Sequence, residues 1–223
     1  MNDKLFLKDP EQSDIGKNIF RKSIKLMKEI GFESFTFKKL ADEIKSTEAT
    51  IYRYFENKHR LLNYVVSWYW HWLDYQVIFQ TNNLTHPEEK LKRVINILTW
   101  QIDGELADDQ EIDLEDMHQI IIRDASKVFL TKHVAEDNTD QFFKPYKSLC
   151  ERISNIMKEY NPDYPYTKSL SSTMVESAHF QDFFMENLPA LTDFEDNGKL
   201  TDIRDYLTSL VFSALNQHKN QLN

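Results

Sequence analysis

The chain has 223 residues, a net charge of −9 and 28% charged residues, which suits one or two domains with a substantial core. The acidic balance excludes a protein that coats nucleic acid nonspecifically, and no run reaches the roughly eighteen apolar residues needed to span a bilayer. Cys150 is the single cysteine, so no internal disulfide framework is possible, which fits a reducing cytoplasm.

The opening stretch MNDKLFLKDPEQSD has no apolar run and is not expected to act as a signal peptide. A first helix is expected over 14–30, with Ile15, Ile19, Phe20, Ile24, Met27 and Ile30 inward and Gly31 just past its end. Thr36 can cap a second helix over 37–44, whose apolar face is Phe37, Leu40, Ala41 and Ile44. Lys45 and Ser46 break the pattern. Thr47 can cap a third helix over 48–54, with Ile51, Tyr54 and Phe55 on its apolar side and Thr50, Tyr52 and Arg53 outward. Two short helices, a tight turn and an exposed polar, cationic face make a helix-turn-helix, which can lay a helix in the major groove of DNA.

A fourth helix starts near Lys58 and continues to residue 80, with Leu61, Leu62, Val65, Trp68, Tyr69, Trp72 and Tyr75 inward. Leaving the first domain for the second, it is the natural mechanical link between them. Pro87 opens a helix to about Ile102. Residues 103–111 read as an acidic loop. Further helices are expected over 113–134, 139–160, 167–188 and 200–218. No useful strand alternation occurs, so the class is all-α.

Charge is unevenly placed. Residues 1–62 hold 13 Lys and Arg against 10 Asp and Glu; the remainder holds 14 against 26. A mildly basic head on an acidic body suits a protein that touches phosphate locally and binds with marked salt sensitivity.

The run from Gly31 to Leu62, GFESFTFKKLADEIKSTEATIYRYFENKHRLL, resembles the DNA-binding domain of the tetracycline-repressor (TetR) family. Thr50-Ile51-Tyr52-x-Tyr54-Phe55 stands where that family has its T-[LI]-Y-x-[YH]-F signature, followed by Asn57-Lys58 and Leu61-Leu62. The resemblance covers residues 13–62; beyond residue 80 it is one of length and helical texture. Two positions depart from the pattern. Lys45 stands where glycine is usual, and Glu48 where a basic or amide residue is usual. Glu48 either stabilises the positive end of its helix or accepts from a cytosine amino group.

The resemblance implies an N-terminal three-helix DNA-binding domain, 1–60, and a larger C-terminal domain, 61–223, for effector binding and dimerisation. Thr36, Lys38, Thr47, Tyr52, Tyr54 and Lys58 are expected to hold phosphates; Glu48, Ala49, Thr50 and Arg53 are expected at base edges. Arg53 is the foremost base reader, since a guanidinium grips guanine in a bidentate manner; a phosphate contact is its alternative. The implied partners are an operator in double-stranded DNA, a small apolar or aromatic effector and a second copy of the chain, with no membrane. Candidate effector residues are Trp72, Trp100, His118, Phe129, Phe142 and Tyr146. Candidate dimer residues are Leu170, Met174, Phe180 and Phe184 on one helix, and Leu207, Leu210, Val211 and Ala214 on the last; such stripes also suit a core within one subunit.

No enzyme constellation is expected. The four glycines lie far apart, which leaves no phosphate-cradling loop, and the seven histidines have no metal-ligand spacing. No cofactor or metal is expected. His118 beside Glu115 and Asp116 reads as a solvated helix end. The eight carboxylates between Asp103 and Asp116 lack the spacing of a calcium loop and read as a solvated loop, or as a site for a cationic effector. The alternative function is a helical small-molecule binding protein whose DNA-binding head is vestigial.

Overall fold

The computed structural model describes residues 2–100, 113–194 and 201–220. Within them the fold is all-α, with no strand. The helices are α1 (Asp14–Ser34), α2 (Phe37–Glu43), α3 (Glu48–Tyr52), α4 (Lys58–Thr81), α5 (Pro87–Leu98), α6 (Leu114–Asp124), α7 (Ser126–Phe129), α8 (Val134–Thr139), α9 (Lys144–Tyr160), α10 (Thr167–Asn187) and α11 (Thr201–Asn220). Short 3-10 turns lie at Asp3–Leu5, Pro10–Gln12 and Pro189–Leu191. None of these helices is long and apolar enough to cross a membrane. The expected acidic loop over 103–111 lies outside the described residues.

The chain divides into two compact units, and the division falls inside α4, after Trp70. The first unit holds the start of the chain through Trp70 together with α6, α7, α8 and residue 145. Its core is aromatic. Phe20 and Phe55 both meet Tyr64 edge-on, at 5.1 and 5.4 Å between ring centres. Ile19, Met27, Leu40, Ile51 and Leu61 are fully buried around them. α1 packs against α6 in this unit. The Arg123 guanidinium donates to the Met27 carbonyl at 2.7 Å, and Lys28 pairs with Asp116 at 2.8 Å. Salt bridges at such exposure add little stability, so burial of the helix faces carries the packing.

Capping signals decide the helix starts. Ser13, Thr36 and Thr47 each accept a backbone N–H of the first turn of α1, α2 and α3. Helix ends were less legible. Gly31, at φ 74 and ψ 155, breaks the helical path of α1. Three further helices end on left-handed residues that are not glycine: Lys45 (φ 52), Trp100 (φ 54) and Gln141 (φ 61). After α2, Ser46 N–H donates to the Ala41 carbonyl at 2.9 Å and Lys45 N–H to Asp42 at 3.2 Å. That pair of bonds is the Schellman motif, with lysine in its left-handed position. Phe142 N–H to Asp137 and Gln141 N–H to Asn138 repeat it after α8.

These ends correct the sequence reading. α5 stops at Leu98 rather than near Ile102. The helix expected over 113–134 is two helices, α6 and α7, and α8 follows as an unexpected one. α9 starts at Lys144 rather than 139 because Gln141 closes α8 first. Tyr75, expected inward on α4, is 55% exposed, while Tyr64 and Trp70 are buried.

The first residues fold back onto the first unit, a contact that no pattern in the opening stretch announces. Leu5 is 1% exposed, and Leu7 N–H donates to the Tyr54 carbonyl at 2.7 Å. Gly16 permits this approach. A Cβ there would sit 2.4 Å from the Pro10 carbonyl oxygen, so any larger residue forces the backbones apart.

The second unit comprises α4 from His71, α5, α9 from Tyr146, α10 and α11. Val77, Leu91, Val94, Ile95, Leu149, Ile153, Met174, Leu207 and Val211 are buried at its centre. Arg152 grips Asp74 with two bonds, Nε at 2.7 Å and Nη2 at 3.2 Å. Asn161 donates to the Leu215 carbonyl at 2.7 Å and ties the end of α9 to α11.

Candidate nucleic-acid interface

α3 is five residues long and is held from below. Ile51, Tyr54 and Phe55 are buried, and Tyr52 packs edge-on against Phe37 at 5.0 Å. Its N-cap Thr47 accepts from the Thr50 N–H at 3.3 Å, and the two threonine hydroxyls lie 3.1 Å apart. Arg53 Nη2 reaches the Thr50 hydroxyl at 3.5 Å. The face left to solvent carries Thr47, Glu48, Ala49, Tyr52 and Arg53, with Thr50 half-exposed beside them.

α2 adds Thr36 and Lys38, both exposed. Lys39, which the sequence reading passed over, is exposed too, and its ammonium donates to the Ser34 carbonyl at 2.9 Å. Among the described residues Lys38, Lys45 and Arg53 have no carboxylate partner, whereas Glu43 is paired with Lys22 at 2.9 Å. The Lys22 ammonium holds the Glu43 carboxyl below its ordinary range. The surface around α2 and α3 therefore presents cations with unspent charge, as a phosphate-contacting surface requires.

Two residues expected at phosphates are placed elsewhere. Tyr54 is 2% exposed, with its hydroxyl 2.7 Å from the Ser13 hydroxyl. The Lys58 ammonium donates to the carbonyls of Phe32, Glu33 and Phe35 at 3.1, 3.2 and 3.3 Å, and lies 4.7 Å from the Phe32 ring centre. Lys58 satisfies carbonyls around Gly31, where the helical path of α1 breaks. Both residues build the head rather than face a ligand. Spacing places Tyr54 on the apolar side, as its burial bears out, and only the resemblance puts it at phosphates.

The six expected effector residues divide between the units. Trp72, Trp100 and Tyr146 belong to the second; His118, Phe129 and Phe142 belong to the first. Trp72 and Trp100 stack at 5.7 Å. His118 is buried, with Nδ1 2.8 Å from the Tyr69 hydroxyl, which corrects its reading as a solvated helix end. Phe142 is buried under the Arg60 guanidinium, 4.5 Å from its ring centre, and Phe129 is half-buried. Tyr146 donates to Glu176 at 2.6 Å. Burial holds the Glu176 carboxyl above its ordinary range and pushes the neighbouring Cys150 thiol up to about 11. Among the described residues no three His, Cys, Asp or Glu side chains are grouped to hold a metal.

The eight expected dimer residues also separate. Met174, Leu207 and Val211 are completely buried and Leu170 is 8% exposed, so these four are core of the second unit. Phe180 is 47% exposed, and Phe184, Leu210 and Ala214 are half-exposed. Phe180 and Phe184 stack at 5.9 Å beside an open groove of about 510 Å³, lined also by Ser172, Thr173, Glu176, Ser177 and Gln181.

Residues 19–65 match the model of the bacterial regulatory proteins of the tetR family. No curated protein matches the chain. Solved structures with a similar fold include AibR in complex with isovaleryl coenzyme A and operator DNA, at 13% identity and TM-score 0.59, covering 86% of this chain and 95% of that one. The fatty acid degradation regulator FadR from Bacillus halodurans is similar at 17% identity and TM-score 0.59, covering 87% and 92%. The superantigen PfiT is similar at 16% identity and TM-score 0.59, covering 94% and 97%.

Proposed function

We propose, on the premise that this chain is a TetR-like regulator by its DNA-binding head, that it is a sequence-specific, ligand-controlled repressor of transcription. One observation carries the reading. α3 is anchored by Ile51, Tyr54 and Phe55 and turns Glu48, Ala49, Tyr52 and Arg53 to solvent, inside the segment that matches the family model. Arg53 and Glu48 read base edges with Ala49 and Thr50 beside them. Thr36, Lys38, Thr47 and Tyr52 hold phosphates. A short recognition helix reads only a few base pairs, so the protein acts as a homodimer on two half-sites.

The effector is a small molecule with an apolar or aromatic part, taken up by the aromatic-rich second unit around Trp72 and Trp100. The isovaleryl coenzyme A and operator DNA bound by AibR support an acyl compound as a first probe. α4 belongs in part to the head, so a ligand that prefers one arrangement of α4 shifts DNA affinity by its differential affinity for the two states.

Selection of bound sequences from a random DNA pool by the full-length protein tests this reading. Enrichment of a two-fold-related site, with affinity falling steeply as salt rises, is the expected result. Failure to enrich any sequence at low salt removes it. Effector binding by a protein that enriches nothing would instead support a small-molecule binding protein with a vestigial head.

A further inference from the structure

The turn between α2 and α3 contains an exposed lysine in a backbone conformation that favours glycine. Lys45 has φ 52, and both its N–H and that of Ser46 are spent on closing α2. Glycine or asparagine fills this place with less backbone strain, so the turn alone gives no reason for a lysine. The side chain takes no part in the fold that offsets the strain. It is exposed, and among the described residues it has no ion pair, hydrogen bond or ring contact. Glu48, three residues on, is exposed as well and makes no ion pair with it. The carboxylate at the start of α3 thus repels phosphate, and the ammonium in the preceding turn is left with its charge unspent.

We infer that Lys45 is a phosphate contact that compensates Glu48 and anchors the start of α3 against the DNA backbone. The inference rests on the regulator reading above and adds a binding residue to it. The left-handed backbone is the cost of putting a cation where glycine would close the turn. The two departures from the family pattern then form one device: Glu48 supplies discrimination and Lys45 supplies the attraction that the carboxylate removes.

The test uses full-length protein, the DNA site enriched by the wild type, and binding measured over a series of salt concentrations. Lys45→Gly and Lys45→Gln should each lower the slope of log affinity against log salt by roughly 0.9 per subunit, the value for one phosphate contact. Lys45→Arg should keep the slope. Lys45→Gly should melt at or above the wild-type temperature, which separates the loss from any damage to the turn. An unchanged slope in Lys45→Gly and Lys45→Gln, with the wild type still binding, overturns the contact and leaves the regulator reading standing. A wild type that enriches no site removes both.

Discussion

The Tyr54 hydroxyl lies 2.7 Å from the hydroxyl of Ser13, the residue that caps α1. The segment that follows α3 is thereby tied to the helix that opens the head. Lys58 ties the same region to α1 by a second route, through the carbonyls of Phe32, Glu33 and Phe35. Tyr54→Phe should cost about 0.5–1.5 kcal/mol of folding stability, and Lys58→Met about 1–3 kcal/mol because its bonds carry charge. Chemical denaturation measures both. Lys58→Met should leave the salt slope of DNA binding unaltered and Tyr54→Phe the affinity of the folded protein; a slope reduced by roughly one in the first, or weaker binding in the second, would restore that residue to the phosphate contacts.

Arg53 stands exposed at the end of α3, with the Thr50 hydroxyl as a neutral neighbour. Arg53→Ala should weaken binding to the selected site by about 1–3 kcal/mol and relax preference at one base position. Equal weakening on all sequences, seen by competition with mismatched DNA, would assign Arg53 to phosphate instead.

The surface and the core of the second unit predict different outcomes for residues on one helix. Phe180, exposed on α10, should shift a dimer toward monomer when changed to Asp, with the melting of the monomer preserved. Met174, fully buried two turns earlier, should lose about 2–5 kcal/mol of stability as Ala through the cavity it leaves. Sedimentation of the two variants distinguishes the roles. A monomeric wild type at micromolar concentration would end the dimer proposal.

Glu176 carries a pH signature. Burial raises its folded pKa above the unfolded value, so the protonated form is favoured in the fold. Its contribution is therefore fully present below the ordinary carboxylate pKa and is lost as pH rises through the raised one. Glu176→Gln keeps an acceptor for the Tyr146 hydroxyl but has no charge to bury. It should melt above the wild type at neutral pH, with the gap closing toward acid. A gap of constant size across that range would show that the side chain acts by packing alone.

Cys150 and Tyr75 illustrate what a linear reading misses. The i, i+4 spacing on α9 sets Tyr146 beside Cys150, but nothing in it reveals that the Glu176 carboxyl of another helix meets Tyr146 or that burial keeps the thiol protonated. Tyr75 sits at a regular inward spacing on α4 yet is exposed, because α4 passes from one unit to the other and a single apolar stripe does not describe both. Helix ends were hidden for a related reason. Lys45, Trp100 and Gln141 close helices in the left-handed conformation without a glycine to announce it. Their ends depend on backbone bonds to the preceding turn, which leave no mark on composition.

By itself the sequence determined the all-α class, the caps at Thr36 and Thr47, and the helix-turn-helix with its outward Thr50, Tyr52 and Arg53. Those features arise from contacts a few residues apart, where residue type and spacing suffice. Only tertiary structure decided which polar groups are spent. Tyr54 on Ser13, Lys58 on three carbonyls, His118 on Tyr69 and Tyr146 on Glu176 all find partners more than twenty residues away. A buried polar group takes whatever partner folding brings to it, since leaving it unpaired costs more than any local preference. The same packing left Lys38, Lys45 and Arg53 without a carboxylate partner among the described residues.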